Sequence, residues 1–188
     1  TLTLTAPYAV NSGGGALVDM AVYHIGLMLH LLDNPDLLSV SGSTFQELDM
    51  DAKRRKESGY DVEELGVGLV KFVGGVTLFI EEAWAIHGQQ GPKHAVYGDK
   101  GGLTLDPLTF HSNFSGLDGD TRFDVDQWDW RENQLRPETA GYASSQAHWV
   151  AGLLGKVPLI DTGRIGMKIV MIVEALFKSA QTGKEVRF

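Results

Sequence analysis

The sequence predicts an α+β fold: a largely antiparallel open sheet with helices packed on one face. Three observations predict it. An apolar, helix-length segment lies near the start of the chain, and a longer one with a 3, 4 apolar stripe lies near its end. Between them run short alternating segments bounded by glycine-rich turns. The connections between those segments are too short for crossover helices, so neighbouring strands should pair antiparallel. Helix first, then strands, then helices is an α+β order. The 188 residues read as one domain, long enough to bury about 70% of its unfolded surface without a staple. The chain has no cysteine, which excludes thiol chemistry.

Residues 1–15 read as strand or loop, ending in Ser12 and the run Gly13-Gly14-Gly15. Ala16 to Leu32 predicts the first long helix, 16–32, stopped by Asp33-Asn34-Pro35. "LLSVSGSTFQEL" alternates as a strand. Residues 49–63 are charged, lack an aliphatic stripe and read as a surface excursion. "ELGVGLVKFV" and "VTLFIEEAWAIH" flank Gly74-Gly75, a hairpin signal because both turn positions can take positive φ. Along the second run Val76, Leu78, Ile80, Trp84 and Ile86 share one face, and Thr77, Phe79, Glu81 and His87 the other. "KHAVYG" and "GLTLD" form a second hairpin, and "LTFHSNF" and "TRFDVDQW" are further strands, five to seven in all. "SSQAHWVAGLLG" is a helix from capping serines to Gly155. Asp161 or Thr162 caps the last long helix, 162–180, whose stripe is Ile165, Ile169, Ile172, Val173, Leu176 and Phe177. Gly183 ends it, and "KEVRF" closes as a short strand.

Charge narrows the function. The formal net charge of −8 argues against a nucleic-acid or anionic-membrane partner. The one basic run, Lys53 to Lys56, is diluted by acids on both sides and reads as a solvated turn. The longest apolar run, 17 residues, falls short of the ~20 that a membrane span needs. "TLTLTAPYAV" has neither the basic start nor the long apolar run of a secretory leader, so a cytoplasmic location is expected. The chain lacks an initiator Met and begins in mid-phrase, as a fragment or processed product would.

Polar residues inside the first helix raise the question of function. Asp19 and Tyr23, four apart, share a helical face, and His30 continues it. Such groups on an apolar helix are costly unless paired or wetted. A partly exposed helix with a polar face would also account for them. His24, five residues from Asp19, points about 140° away and should meet a different neighbour. The glycine run is no phosphate loop: G-x-G-x-x-G and G-x-x-x-x-G-K-[ST] are absent from the chain. Close backbone approach at a helix entrance explains it better. Glu82 falls on the apolar face of its strand, where a bulge or an edge position is preferred over a functional role. His87, His94, His111 and His148 show no metal-ligand spacing. Trp128 and Trp130, in "DVDQWDWREN", could line a sugar pocket or anchor a corner, and with His148 they are the substrate-binding candidates.

Several phrases then form an ordered set. "GGGALVDMAVYHIGLMLHLL" resembles the first helix of the C-terminal domain in the glucose–fructose oxidoreductase / inositol dehydrogenase (Gfo/Idh/MocA) family. "VYGDKGGLTLD" is similar to that family's G-x-x-G-x-L hairpin, and "EALFKSAQTGKEVRF" to its closing helix and strand. The resemblance implies a two-domain enzyme whose N-terminal Rossmann domain holds NAD or NADP. Residues 1–188 would be the C-terminal substrate and oligomerisation domain alone, without cofactor-binding residues and without the family's lysine. It implies reversible hydride transfer from a sugar, cyclitol or related polyol. Asp19 matches the family's substrate-orienting Asp, and Tyr23 a position that holds His or Tyr. Ala21 departs from the usual glycine, and His24 leaves open which group handles the proton, with Tyr23 favoured on helical phase. The expected assembly is a homodimer or homotetramer through the sheet, whose hairpin carries apolar residues on both parities (Leu69, Phe72, Leu78, Phe79). The other readings are an NAD-dependent glycoside hydrolase of the same family and a non-catalytic ligand-binding or oligomerisation module.

Overall fold

A computed structural model describes residues 13–87, 94–135 and 141–188. The strand or loop expected at residues 1–12 lies outside the described residues. A π-helical turn, Leu17–Ala21, runs into α1 (Val22–Leu31), followed by β1 (Leu37–Phe45) and α2 (Ala52–Ser58). Then come β2 (Leu65–Phe72), β3 (Thr77–Ala83), β4 (Ala95–Gly98), β5 (Gly101–Leu105), β6 (Leu108–Phe114) and β7 (Leu117–Arg122). The chain closes with α3 (Val125–Leu135), α4 (Ser145–Leu153), α5 (Thr162–Thr182) and β8 (Val186–Arg187). The fold is an open, antiparallel α+β arrangement, as expected. Its described residues fall into two compact units: 13–87 with 161–188, and 94–135 with 141–160.

The first unit is built on an antiparallel sheet of order β3-β2-β1-β8. The Gly74-Gly75 turn joins β2 to β3 with φ of 91° at both glycines. Val40 pairs with Val70, and Val70 with Leu78, so one face of the sheet carries a buried apolar row. On it lies α5, with Ile172, Val173 and Leu176 buried. Each such side chain, fully buried, contributes about 1.5–3 kcal/mol. The helix can come this close because Gly42 and Gly68 sit opposite each other beneath it. A Cβ there would stand 2.6 and 2.2 Å from Leu176 Cδ2. The Asp161 carboxylate caps α5 by accepting from Arg164 N–H at 3.1 Å, and Gly183 ends it at φ 65°. Asp33 and Asn34, both left-handed, stop α1. Lys168 on α5 donates to the carbonyls of Asn34 and Pro35 at 2.7 and 2.6 Å, satisfying that chain reversal.

The surface excursion expected at 49–63 is only half a surface feature. The helix α2 is exposed and carries the basic run, but Tyr60, Val62, Glu63 and Glu64 are buried. Backbone N–H groups and a phenol draw the two carboxylates inward. The Glu64 carboxylate accepts from the Glu47 and Leu48 N–H groups and from Tyr60 Oη at 3.1 Å. Burial first, then repulsion and hydrogen bonding from Glu64, pushes the Tyr60 phenol up to about 12. The raised value means that the neutral phenol stabilises the folded state. That contribution is complete below the unfolded phenol's pH of about 10 and is lost as pH rises through about 12. Ultraviolet titration should therefore show a late tyrosine, and Tyr60→Phe should remove it. A titration of the intact fold complete by about pH 11 would contradict this.

The second unit holds an antiparallel sheet, β4-β5-β6-β7, and the helices α3 and α4. Two four-stranded sheets thus replace the single sheet expected, with eight strands among the described residues. The β3 ladder ends at Ala83, and β4 takes β5 as its partner. "TRFDVDQW" is not one strand. The β7 strand ends at Arg122, and Asp124 Oδ1 accepts from Gln127 N–H at 2.9 Å to start α3. An Asp cap outweighs the alternation that suggested a strand. The helix α4 begins as expected, with Ser144 Oγ accepting from Ala147 N–H at 3.1 Å.

Candidate functional site

The site is positioned by the way the first helix enters the sheet. Glu63, just before β2, turns its buried carboxylate onto the helix N-terminus: Oε2 accepts from Gly15 N–H at 2.9 Å and Oε1 from Leu17 N–H at 3.0 Å. Its carbonyl accepts from Ala16 N–H at 3.1 Å. A carboxylate is a strong acceptor for the unsatisfied N–H groups there and complements the positive end of the helix dipole. The glycine run serves this close approach, as expected, and Glu63 is the partner that the sequence did not reveal.

The helix then holds two acid–base groups against one strand edge. Asp19, exposed in the π-turn, accepts from Trp84 Nε1 at 3.1 Å. His24, in α1, meets Glu82 through Nδ1 and Oε2 at 2.6 Å. Glu82 and Trp84 are two residues apart and so leave on the same side of the strand line. The result is two adjacent polar rungs between one stretch of helix and the end of β3. Glu82 is on an edge strand, in unbroken register opposite Gly66, with no bulge. Its burial is explained by its partner.

The π-turn also changes the phase argument. A π-turn closes i→i+5 bonds and inserts a residue into the helical count. Relative to an uninterrupted α-helix, this rotates His24 toward the Asp19 face. The partner expected for His24 is Glu82. Tyr23 is 73% exposed and projects to solvent.

The remaining candidates belong to the second unit. Trp128 and Trp130 lie on α3, both exposed, and two residues apart on a helix they leave from opposite sides. They do not form one stacking platform. His148 on α4 accepts from Ile160 N–H at Nε2, 3.1 Å, and its Nδ1 lies 3.1 Å from the Gly141 carbonyl. Its ring stacks on Tyr142 at 5.0 Å. Both ring nitrogens are thus engaged inside the unit, the satisfied-histidine reading. Among the described residues no group of three or more His, Asp or Glu could hold a metal ion, and no helix is long and apolar enough to cross a membrane.

Fold and site together define an α+β unit that presents acid–base groups from the edge of one helix. Residues 6–104 match the family model described as the GFO/IDH/MocA C-terminal domain, and the chain belongs to the GFO/IDH/MocA family. D-glucoside 3-dehydrogenase of Escherichia coli (strain K12) is 25% identical over 185 residues, covering 93% of this chain and 49% of that protein. An oxidoreductase domain protein from Kribbella flavida shares the fold with a TM-score of 0.72 at 17% identity, over 98% of this chain and 54% of that one. GenD2 from gentamicin A biosynthesis, solved in complex with NAD, does so with a TM-score of 0.60 at 23% identity, over 100% and 52%. The chain spans about half the length of these relatives.

Proposed function

We propose that this chain is the substrate and oligomerisation domain of an NAD(P)-dependent oxidoreductase acting on a sugar, cyclitol or related polyol, in the cytoplasm. The observation that carries the reading is Asp19 and His24, held by one helix against one strand edge, on a chain of this family. The similarity to a D-glucoside 3-dehydrogenase favours a glucoside as substrate over a free cyclitol. Oxidising a carbinol removes a C–H hydride and an O–H proton. A nicotinamide, when bound, would supply the hydride acceptor. The described residues do not fit the rest of that cofactor: both sheets are antiparallel and the chain has no glycine fingerprint. Its binding falls to a segment outside this chain. What the chain supplies is the proton side of the reaction. His24 accepts the hydroxyl proton, Asp19 orients the sugar, and the exposed Tyr23 phenol donates a hydrogen bond to it.

The face of the first unit's sheet turned away from α5 exposes Leu69 and Phe79, which pair in register. In this reading a second copy covers them, giving a homodimer or homotetramer.

The protein carrying this chain should reduce NAD+ or NADP+ with methyl D-glucosides, followed by absorbance at 340 nm. The 188-residue chain alone should show no micromolar binding of NADH or NADPH by calorimetry. No nucleotide reduction with glucosides, aldoses or cyclitols would overturn the function, and micromolar binding by the chain alone would overturn the division of labour.

A further inference from the structure

We infer that Glu82 is a positioning residue for His24: its carboxylate fixes the ring proton on Nδ1 and presents Nε2 of the neutral imidazole as the proton acceptor for a substrate hydroxyl. This deepens, and rests on, the reading of His24 as the group that takes the proton. A carboxylate on the apolar face of β3, in line with the buried Leu78 and Ile80, is unfavourable unless it is paired. It is paired at 2.6 Å, just below the roughly 2.7–2.9 Å of a charge-assisted N–H···O bond. An ionised carboxylate can only accept, so Nδ1 is the donor. A neutral imidazole with its proton on Nδ1 carries its acceptor lone pair on Nε2.

Two further observations separate this from a simple anchor. The side chain of Glu82 is 11% exposed and that of His24 39%. The carboxylate sits inside and the imidazole at the surface, the order in which a base is held from behind. The Trp84–Asp19 bond, from the residue that follows β3, ties the preceding helical turn to the same edge. The helix that carries the ring is therefore fixed at two points against the strand that carries Glu82.

The test reads the tautomer directly. In 15N-edited NMR of the protein, recorded where the His24 ring carries a single proton, that proton should be on Nδ1. In Glu82→Gln, whose amide can donate as well as accept, His24 should shift toward the Nε2–H form, with the amide spectrum otherwise preserved. The same substitution should lower kcat for the glucoside by about 10²-fold and leave KM little changed. An Nε2–H form in the unsubstituted protein would overturn the inference, whether or not the variant folds. So would an unchanged tautomer in Glu82→Gln, or a changed tautomer with unchanged kcat. Absence of any dehydrogenase activity would instead count against the proposed function, because the tautomer is read without substrate or cofactor.

Discussion

His24→Gln is expected to lower kcat for glucoside oxidation by about 10²–10⁴-fold, the usual contribution of a positioned general base. KM should change little, because the interaction that is lost develops as the proton moves. Glutamine keeps a polar group of similar reach, so the Glu82 carboxylate is not left without a hydrogen-bonding neighbour and the fold should survive. Tyr23→Phe is the informative comparison. Tyr23 has 73% of its surface in solvent and is assigned a hydrogen bond to substrate. Its loss should cost about 0.5–1.5 kcal/mol, or roughly 2–10-fold in kcat/KM. Steady-state kinetics of the two variants decide between adjacent residues. A large loss for Tyr23→Phe with a small one for His24→Gln would move the base back to the phenol, as α-helical phase alone suggested. Small losses for both would favour a non-catalytic module.

Gly15→Ala should be among the most damaging single-methyl additions in the chain. A Cβ at Gly15 would stand 1.7 Å from the Glu63 carbonyl oxygen and 2.8 Å from its carbon. These are backbone atoms, and the same carbonyl receives the Ala16 N–H, so neither strand nor helix can yield without breaking that contact. The expected loss is about 4 kcal/mol or more, in the range that marks a named steric failure rather than ordinary substitution noise. The first turn of the helix would be displaced, and Asp19 and His24 with it. Gly166→Ala is the control. It adds the same methyl within α5, where nothing lies within 4 Å. There alanine should be neutral or add up to about 1 kcal/mol through helix propensity. Denaturant melts of the two variants should move in opposite directions or by very different amounts. Equal, small shifts would mean that the Gly15–Glu63 contact does not hold the helix entrance.

The sequence by itself determined whatever depends on local rules. The serine pair at 144–145, Asp161 or Thr162, and Gly183 marked the ends of the last helices, with Ser144 and Asp161 the caps in the structure, because capping is decided within four residues. Gly74-Gly75 marked the hairpin because positive φ is a property of the residue. Parity put Glu82 and Trp84 on one side of their strand line, and the spacing of five pointed to a neighbour for His24 other than that of Asp19. Only the tertiary structure decided which neighbour. Glu82 is 58 residues from His24, Trp84 is 65 from Asp19, and Glu63 is 48 from Gly15. No local pattern encodes a hydrogen bond over such separations. The division into two sheets is equally non-local, since it depends on where distant backbone ladders begin and end. A carboxylate on an apolar strand face looks like an irregularity until the folded chain supplies its partner, and the partner makes it part of the site.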